Sequence, residues 1–237
     1  PDLSGKLQIV QREIVETKKA GVGVEETDTT VMLPSVSGLA PAFKSHELRK
    51  RGTDGTVESQ KTTLLPDGAG NFQVVETRQS NTRQEANERS TEERISRLDA
   101  SGKLVEVSRV VSKESENTSG EKRNTVETYS VDVLGRTSDG SLHLVERATT
   151  TQRSNATGEQ IKKKQVEQPN PGDPDSGLRL TILTNDMVRP GPSGSQATRT
   201  IQMRGGSGSF GVVSIETTKS DRIFTIQIQQ TSSEQQR

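Results

Sequence analysis

Apolar and polar residues alternate along short stretches of this chain, and these stretches come in pairs separated by strongly polar segments. In one such unit Val105, Val107 and Val111 lie on one face, residues 112–124 contain no apolar side chain, and alternation returns over residues 129–133. Period-2 alternation on both sides of a polar turn is typical of a β-hairpin, and no window sustains the helical i, i+3, i+4, i+7 pattern. The sequence therefore predicts paired strands and no long helix.

A glycine followed closely by an apolar residue recurs through the chain at an almost constant spacing. The glycines are Gly5, Gly38, Gly70, Gly102, Gly140, Gly177 and Gly208, which lie 31 to 38 residues apart. A fixed period of this kind indicates one supersecondary unit repeated along the chain. With two strands per unit, six to seven hairpin repeats of about 32–38 residues predict about 13–14 long strands.

Turn-forming residues also lie about halfway between these glycines, where the outer ends of the hairpins are expected. The predicted outer turns are residues 20–23, 52–55, 117–120, 155–158 and 191–194, and one unit must turn around Asn87, where a short helical turn is the alternative. Apolar residues gather beside the recurrent glycines, so we expect a buried apolar band there. In the polar outer halves, cross-strand Lys–Glu and Thr–Thr pairs should stabilise the sheet by roughly 0.2–1 kcal/mol each.

The composition limits how thick such a sheet can be. Apolar residues make up 27% of the chain and aromatic residues 2%, and the mean hydropathy is -0.77. This is too little apolar material to fill a sandwich core along the whole chain. We therefore predict an all-β fold: an antiparallel up-and-down meander, largely single-layer and twisted by roughly 20–25° per strand pair. A seven-unit β-propeller or a closed barrel-like shell is the alternative.

The domain organisation follows from the repeats. Residues 1–237 are expected to form a single hairpin-repeat array, with one shift in composition at residues 168–177, which contain three prolines. Because proline is excluded from the interior of a ladder, this segment is interpreted as an extended linker. A subdivision into 1–168 and 177–237 at the linker is the alternative.

Charge and cysteine content restrict the classes of partner and compartment. The chain has 32 basic and 32 acidic residues and no cysteine. Zero net charge argues against a nucleic-acid partner. No stretch reaches 18 apolar residues, and one Tyr with four Phe cannot supply the aromatic girdles of a membrane-inserted sheet, so no membrane insertion is expected. The chain starts at Pro1 inside a repeat turn, which we interpret as a processed or trimmed amino terminus. An extracytoplasmic protein is expected, whether secreted, periplasmic or on the cell surface.

No residue pattern predicts a catalytic or cofactor-binding site. Asp173 and Asp175, with Asn170 nearby, are weak candidates for a calcium site but lack the further acids of a calcium loop. The two histidines, His46 and His143, are too far apart in the repeats to suggest a zinc site. Neighbouring acids such as Glu92 and Glu93 point to opposite faces of a strand and cannot cooperate in acid–base chemistry.

Three resemblances bear on function. The Lys/Glu/Thr-rich meander resembles spirochaete outer-surface lipoproteins with a free-standing single-layer sheet, which implies a surface-exposed, non-enzymatic protein. The segment Tyr129-Ser-Val-Asp132-Val-Leu-Gly135-Arg136 resembles the tyrosine–aspartate repeat of Rhs-type proteins, with residues inserted. The repeats are also similar to uncharacterised exported β-hairpin-repeat proteins of bacteria.

Two functions are therefore expected. The first is a non-enzymatic structural or surface interaction module of the bacterial cell envelope, with an unknown protein or envelope partner and edge-strand self-association as a further route to assembly. The alternative is a carbohydrate-binding or carbohydrate-active envelope module. The sequence disfavours this alternative because sugar stacking uses exposed aromatic residues. Four of the five aromatic residues lie in apolar strand contexts or beside proline, where a core role is the better interpretation; the five are Phe43, Phe72, Tyr129, Phe210 and Phe224.

Overall fold

A computed structural model describes residues 9–36, 38–131, 140–223 and 226–234, with side chains described as far as residue 220. These residues form fourteen strands and no helix, and none of them belongs to a helix that could cross a bilayer. The strands are β1 (Arg12–Gly21), β2 (Val24–Ser35), β3 (Gly38–Arg51), β4 (Val57–Pro66), β5 (Phe72–Glu85), β6 (Glu88–Leu98), β7 (Leu104–Glu116), β8 (Lys122–Ser130), β9 (His143–Ser154), β10 (Gln160–Asn170), β11 (Asp173–Pro190), β12 (Gly194–Arg204), β13 (Phe210–Ile223) and β14 (Ile226–Glu234).

The strands follow one another in the sheet in chain order, from β1 to β14. The pairs with a defined register are antiparallel, and within the described residues β1 pairs only with β2 and β14 only with β13. The predicted up-and-down meander is thus confirmed. The sheet is open, so the propeller and the closed shell are wrong, because each would need its first and last units to meet.

The chain divides into two compact units. Unit 1 consists of residues 1–84 and 91–109, and unit 2 consists of residues 85–90 and 110–237. Within each unit, the contacts between elements join almost exclusively strands that are neighbours in the sheet. Each unit is therefore a single layer of strands. The subdivision at residues 168–177 stays a prediction.

A five-residue loop with the same hydrogen bonds closes several of the hairpins. In the loop between β6 and β7, the Asp99 Oδ1 atom accepts hydrogen bonds from the Ser101 and Lys103 backbone N–H groups at 2.8 and 3.0 Å. Gly102 donates to the Asp99 carbonyl at 3.0 Å and has a φ of 78°, which favours glycine. Asn117 and Asn155 hold their loops in the same way at the opposite ends of the hairpins. These hydrogen bonds join residues close in the chain, so such turns can be predicted from the sequence. The predicted turns at residues 70, 102 and 208 and all the predicted outer turns are confirmed. The turn at Gly5 lies outside the described residues.

Gly177 is the exception among the recurrent glycines, because it lies inside β11 rather than in a turn. The chain reverses instead at Pro171 and Gly172, with Asn170 pairing with Asp173. A proline in the second position of a turn after Asn is favourable, since its φ is preset. Gly177 keeps a positive φ of 87° at an irregularity of β11, where Pro169 pairs with Leu178. The interpretation of residues 168–177 as an extended linker is therefore wrong, because most of them are strand residues.

The turn around Asn87 is confirmed, and it is a two-residue turn rather than a helical one. It is formed by Ala86 and Asn87 between β5 and β6. Ala86 has a φ of 37°, a conformation that favours glycine or asparagine in a two-residue hairpin turn. The alanine at this position therefore strains the backbone.

One unpaired residue recurs in the strand that leaves each glycine turn, wherever the register is defined. At these positions two residues of the outgoing strand face one residue of the preceding strand, which is a β-bulge. The extra residues are Ala42, Val75, Val145, Thr181 and Val213. Each bulge reverses the alternation of faces along its strand. Two residues an even number of positions apart, one before the bulge and one after it, therefore lie on opposite faces of the sheet.

Very little of either unit is buried. Among the described side chains, only Ser45 in unit 1 and Val166 in unit 2 are buried, at 4% and 6% exposure. The predicted apolar band beside the glycine turns exists, but many of its residues are exposed: Leu33, Leu65, Leu104, Val105, Met203, Val212 and Val213. Because each unit is one layer thick, no second layer covers these side chains. The expectation that this band is buried is wrong.

Candidate interaction surface

A row of alternating charges crosses four strands on one face of unit 2. The row consists of Lys162 on β10, Asp186 on β11, Arg199 on β12 and Glu216 on β13, which are directly opposite one another in register. The Arg199 guanidinium donates from Nε and Nη2 to the two Asp186 carboxylate oxygens at 2.8 and 3.3 Å. These hydrogen bonds and the charges of Asp186 and Glu216 raise the pKa of Arg199 above its ordinary value. We call this set the β10–β13 charge row.

A second row crosses β8, β9 and β10, and it consists of Glu127, Arg147 and Glu167. Arg147 Nε donates to Glu127 at 2.9 Å, and Arg147 Nη1 lies 3.8 Å from Glu167. The Tyr129 hydroxyl donates to the other Glu127 oxygen at 2.9 Å. Partial desolvation raises the pKa of Glu127, but the hydrogen bonds from Tyr129 and Arg147 outweigh it and leave the pKa lowered. We call this set the β8–β10 charge row.

The two rows lie on opposite faces of unit 2. Lys162 of the first row and Glu167 of the second are both on β10, five residues apart, and β10 runs without an irregularity against β9 between them. Successive side chains of a strand alternate between faces, so an odd separation places these two on opposite sides. Neighbouring strands are about 4.8 Å apart. Unit 2 therefore presents alternating charges at this spacing on both of its faces.

Unit 1 carries ion-pair clusters of the same kind. Glu76 on β5 accepts from Arg97 at 2.9 Å and lies 3.5 Å from Arg78, which is 3.1 Å from Glu93. Glu92, next to Glu93 in the chain, contacts a different set. Its partners are Arg94 at 2.8 Å and Arg109 at 3.6 Å. The two neighbouring carboxylates are thus separated, as strand alternation predicts.

Arginine makes most of these pairs, although the sequence suggested lysine. Among the described residues the lysine pair is Lys122 with Glu116, at 3.7 Å. The planar guanidinium can reach carboxylates on both neighbouring strands, whereas the ammonium group is a single point charge. The predicted Thr–Thr pairs are confirmed by hydroxyl contacts between Thr17 and Thr27 at 3.3 Å and between Thr82 and Thr91 at 3.0 Å.

The metal candidates Asp173 and Asp175 lie at the start of β11, beside the turn that contains Asn170. The Asp173 carbonyl accepts a hydrogen bond from the Ser176 hydroxyl at 2.7 Å. Within the described ranges, no group of three or more His, Cys, Asp or Glu side chains is arranged to hold a metal ion. His46 pairs instead with Asp28 across β2 and β3, with Nδ1 at 2.8 Å from Oδ1.

A cavity of about 320 Å³ lies in unit 1 at the outer ends of β2, β3 and β4. Its charged lining consists of Lys50, Arg51, Asp54 and Glu58, and no aromatic residue belongs to its described lining. Asp54 caps the adjacent turn by accepting from the Thr56 backbone N–H at 3.0 Å, and this hydrogen bond lowers its pKa. The charges of the lining balance, so the cavity favours neither a cationic nor an anionic ligand.

The candidate aromatic residues are not displayed for sugar stacking in the described part of the chain. Phe43, Phe72, Tyr129 and Phe210 are all half-buried. The Phe72 ring lies under the Lys44 ammonium, with Nζ 4.3 Å from the ring centroid. The Phe224 candidate and the Asp132, Gly135 and Arg136 positions of the Rhs-like segment lie outside the described residues.

Comparisons with known proteins add little to this geometry. No family model matches the chain, and no curated protein matches it. Among solved structures, a porin-like protein from Bacteroides uniformis ATCC 8492 aligns over 94% of each chain at 10% identity. The TM-score of that alignment is 0.17, which is too low to indicate a shared fold.

Proposed function

We propose that this protein is a non-enzymatic structural or surface interaction module of the bacterial cell envelope. The observation that supports the proposal is the presence of ordered charge rows on both faces of a single-layer sheet. In unit 2, Arg147 and Arg199 each stand between two carboxylates in register, on opposite faces. A surface that repeats charges across successive strands suits an extended polar partner that makes many weak contacts.

The rows also explain how such a surface stays ordered while exposed. Exposed ion pairs contribute about 0–1 kcal/mol each. Arg147 contacts two carboxylates, at 2.9 and 3.8 Å, and Arg199 makes two hydrogen bonds to one carboxylate, so each ordered side chain gains two contacts. The Arg199 and Arg147 side chains remain 53% and 39% exposed. Their guanidinium groups are thus held in place and are still accessible to a partner.

A sedimentation assay with fractionated envelopes of the encoding bacterium tests the proposal. The purified protein is expected to pellet with an envelope fraction, and the bound amount should fall as salt screens the charges. The double variant Arg147→Gln/Arg199→Gln should bind less. The matched control is Arg49→Gln/Arg153→Gln, which also removes two arginines, both exposed and outside the two rows. Equal binding by the two variants, or no pelleting with any envelope fraction, would contradict the proposal.

The carbohydrate alternative ranks second because the described aromatic side chains are half-buried. A glycan array separates the two functions. Specific, saturable binding to one class of sugar, unchanged in the double arginine variant, would favour the carbohydrate module instead.

A further inference from the structure

We propose that two copies of this chain pair antiparallel along β1, about a two-fold axis at Thr17, and so continue the sheet from one copy into the other. The inference goes beyond the proposed function because it names a partner strand and a register. It concerns the edge of unit 1, whereas the proposed envelope surface lies on the faces of unit 2. The two proposals can therefore fail independently.

β1 is an edge strand whose outer side has no partner among the described residues. It pairs with β2 without interruption from Arg12 opposite Met32 to Lys19 opposite Glu25, and again at Gly21 opposite Val24 after an irregularity at Ala20. Nine of its ten residues are exposed, and Ile14 is half-buried. Backbone N–H and C=O groups on the outer side of such a strand are a template for another strand.

Symmetry restricts the registers that two copies of one strand can adopt. Directly opposite residues of an antiparallel pair alternate between hydrogen-bonded and non-hydrogen-bonded pairs. A two-fold axis midway between two successive pairs would exchange the two kinds, so it is not allowed. The axis must pass through a residue that faces its own copy.

The charges of β1 select among these registers. An axis at Glu16 or Lys18 places identical charges opposite each other, and an axis at Val15 places Arg12 opposite Lys18. An axis at Thr17 places Glu16 opposite Lys18 twice and creates no like-charge pair. It also overlaps residues 13–21, nearly the whole strand, whereas an axis at Ile14 overlaps only residues 12–16. Opposite charges directly across two strands stabilise the pair, and like charges destabilise it.

Among the described residues, the charges that this register uses are only partly engaged. Glu16 and Lys18 form no ion pair there; on β2, Lys18 faces Glu26, which has the opposite sign, whereas Glu16 faces Asp28, which has the same sign. A Lys18 side chain from a second copy would offset that repulsion. Thr17 already faces Thr27 on β2, with the hydroxyl oxygens 3.3 Å apart, so a Thr–Thr pair at the axis repeats a contact that the sheet contains.

Sedimentation equilibrium of the full chain and its charge variants tests the pairing. The wild type is expected to form a dimer, and Glu16→Lys should weaken the dimer about tenfold, because two favourable pairs become two Lys–Lys pairs. Within the chain, Glu16→Lys places a positive charge opposite the negative Asp28, so a lower affinity of the dimer cannot be attributed to a weakened monomer. Because Lys18 faces Glu26 on β2, the triple variant Glu16→Lys/Lys18→Glu/Glu26→Lys keeps that pair opposite in sign and should restore dimerisation. A monomer at every concentration, or a dimer insensitive to Glu16→Lys, would overturn the proposal.

Single cysteines test the register, since the chain has no native cysteine. Thr17→Cys should form a disulfide-linked dimer under mild oxidation, because the two copies of residue 17 face each other. Glu13→Cys is the control on the same exposed strand. Its two copies would lie roughly 26 Å apart along the strands, well beyond the reach of a disulfide. Cross-linking of Glu13→Cys as fast as Thr17→Cys would show that the register is wrong.

Discussion

Val166 on β10 offers the sharpest test of how this thin sheet is stabilised. It is the one buried apolar residue among the described side chains, at 6% exposure. Ala148 on β9 and Ile182 on β11 lie directly opposite it in register. Its carbonyl also accepts a hydrogen bond from the Thr181 hydroxyl at 3.1 Å, beside the bulge. The substitution Val166→Ala leaves that backbone contact in place and removes only apolar surface.

The expected loss follows from the two carbon groups that the substitution deletes. Burial of one methylene-sized group stabilises a protein by about 0.8 kcal/mol, so two nearly buried groups correspond to about 1.6 kcal/mol. The cavity contribution should be small because a single layer can relax around the site. We therefore expect the free energy of unfolding to fall by about 1.5–2 kcal/mol, or the Tm to fall by roughly 3–8 °C.

Urea unfolding followed by far-UV circular dichroism measures this loss, since the chain has no tryptophan for fluorescence. Val22→Ala is the control because Val22 is fully exposed in a turn, and its effect should lie within about 0.5 kcal/mol of zero. If Val166→Ala were as harmless as Val22→Ala at an unchanged m-value, the local packing around Val166 would not stabilise the sheet.

Three further predictions concern a turn carboxylate, an ion pair and a strained turn. Backbone and hydroxyl hydrogen bonds lower the pKa of Asp99 below 3.8, so the stability it contributes is present above that pH and is lost as the pH falls through its folded pKa. Asp99→Asn should keep the loop, as Asn117 does, and remove this acid dependence. Thermal unfolding between pH 2 and 5 measures the slope of Tm against pH, and the same slope in the variant and the wild type would contradict the prediction. A double-mutant cycle between Arg199→Gln and Asp186→Asn should give a coupling of about 0.2–1 kcal/mol that decreases with salt, and a salt-independent coupling would argue against an exposed ion pair. Ala86→Gly should stabilise the chain by about 1 kcal/mol by relieving the positive φ at the β5–β6 turn, and a lower urea midpoint would refute the strain.

The sequence by itself determined most of the turns and the number of strands. Asp99, Asn117 and Asn155 each hold a loop through their own side-chain oxygen and a glycine three residues later. All the atoms involved lie within five consecutive residues, so these turns can be predicted from the sequence without knowledge of any distant contact. Alternation between these turns was enough to predict an antiparallel meander.

The tertiary structure alone decided the register, the partners of the charges and the exposure of the apolar band. Consecutive apolar pairs such as Val74-Val75 and Val212-Val213 were a signal of bulges in the sequence, since strict alternation forbids them. Their meaning depends on the strand opposite, where Leu64 faces Val74 and leaves Val75 unpaired. Which carboxylate Arg199 binds depends in turn on that register. Local residues specify where the chain reverses. Which side chains contact each other and which remain exposed to solvent depends on the residues that neighbouring strands place opposite them.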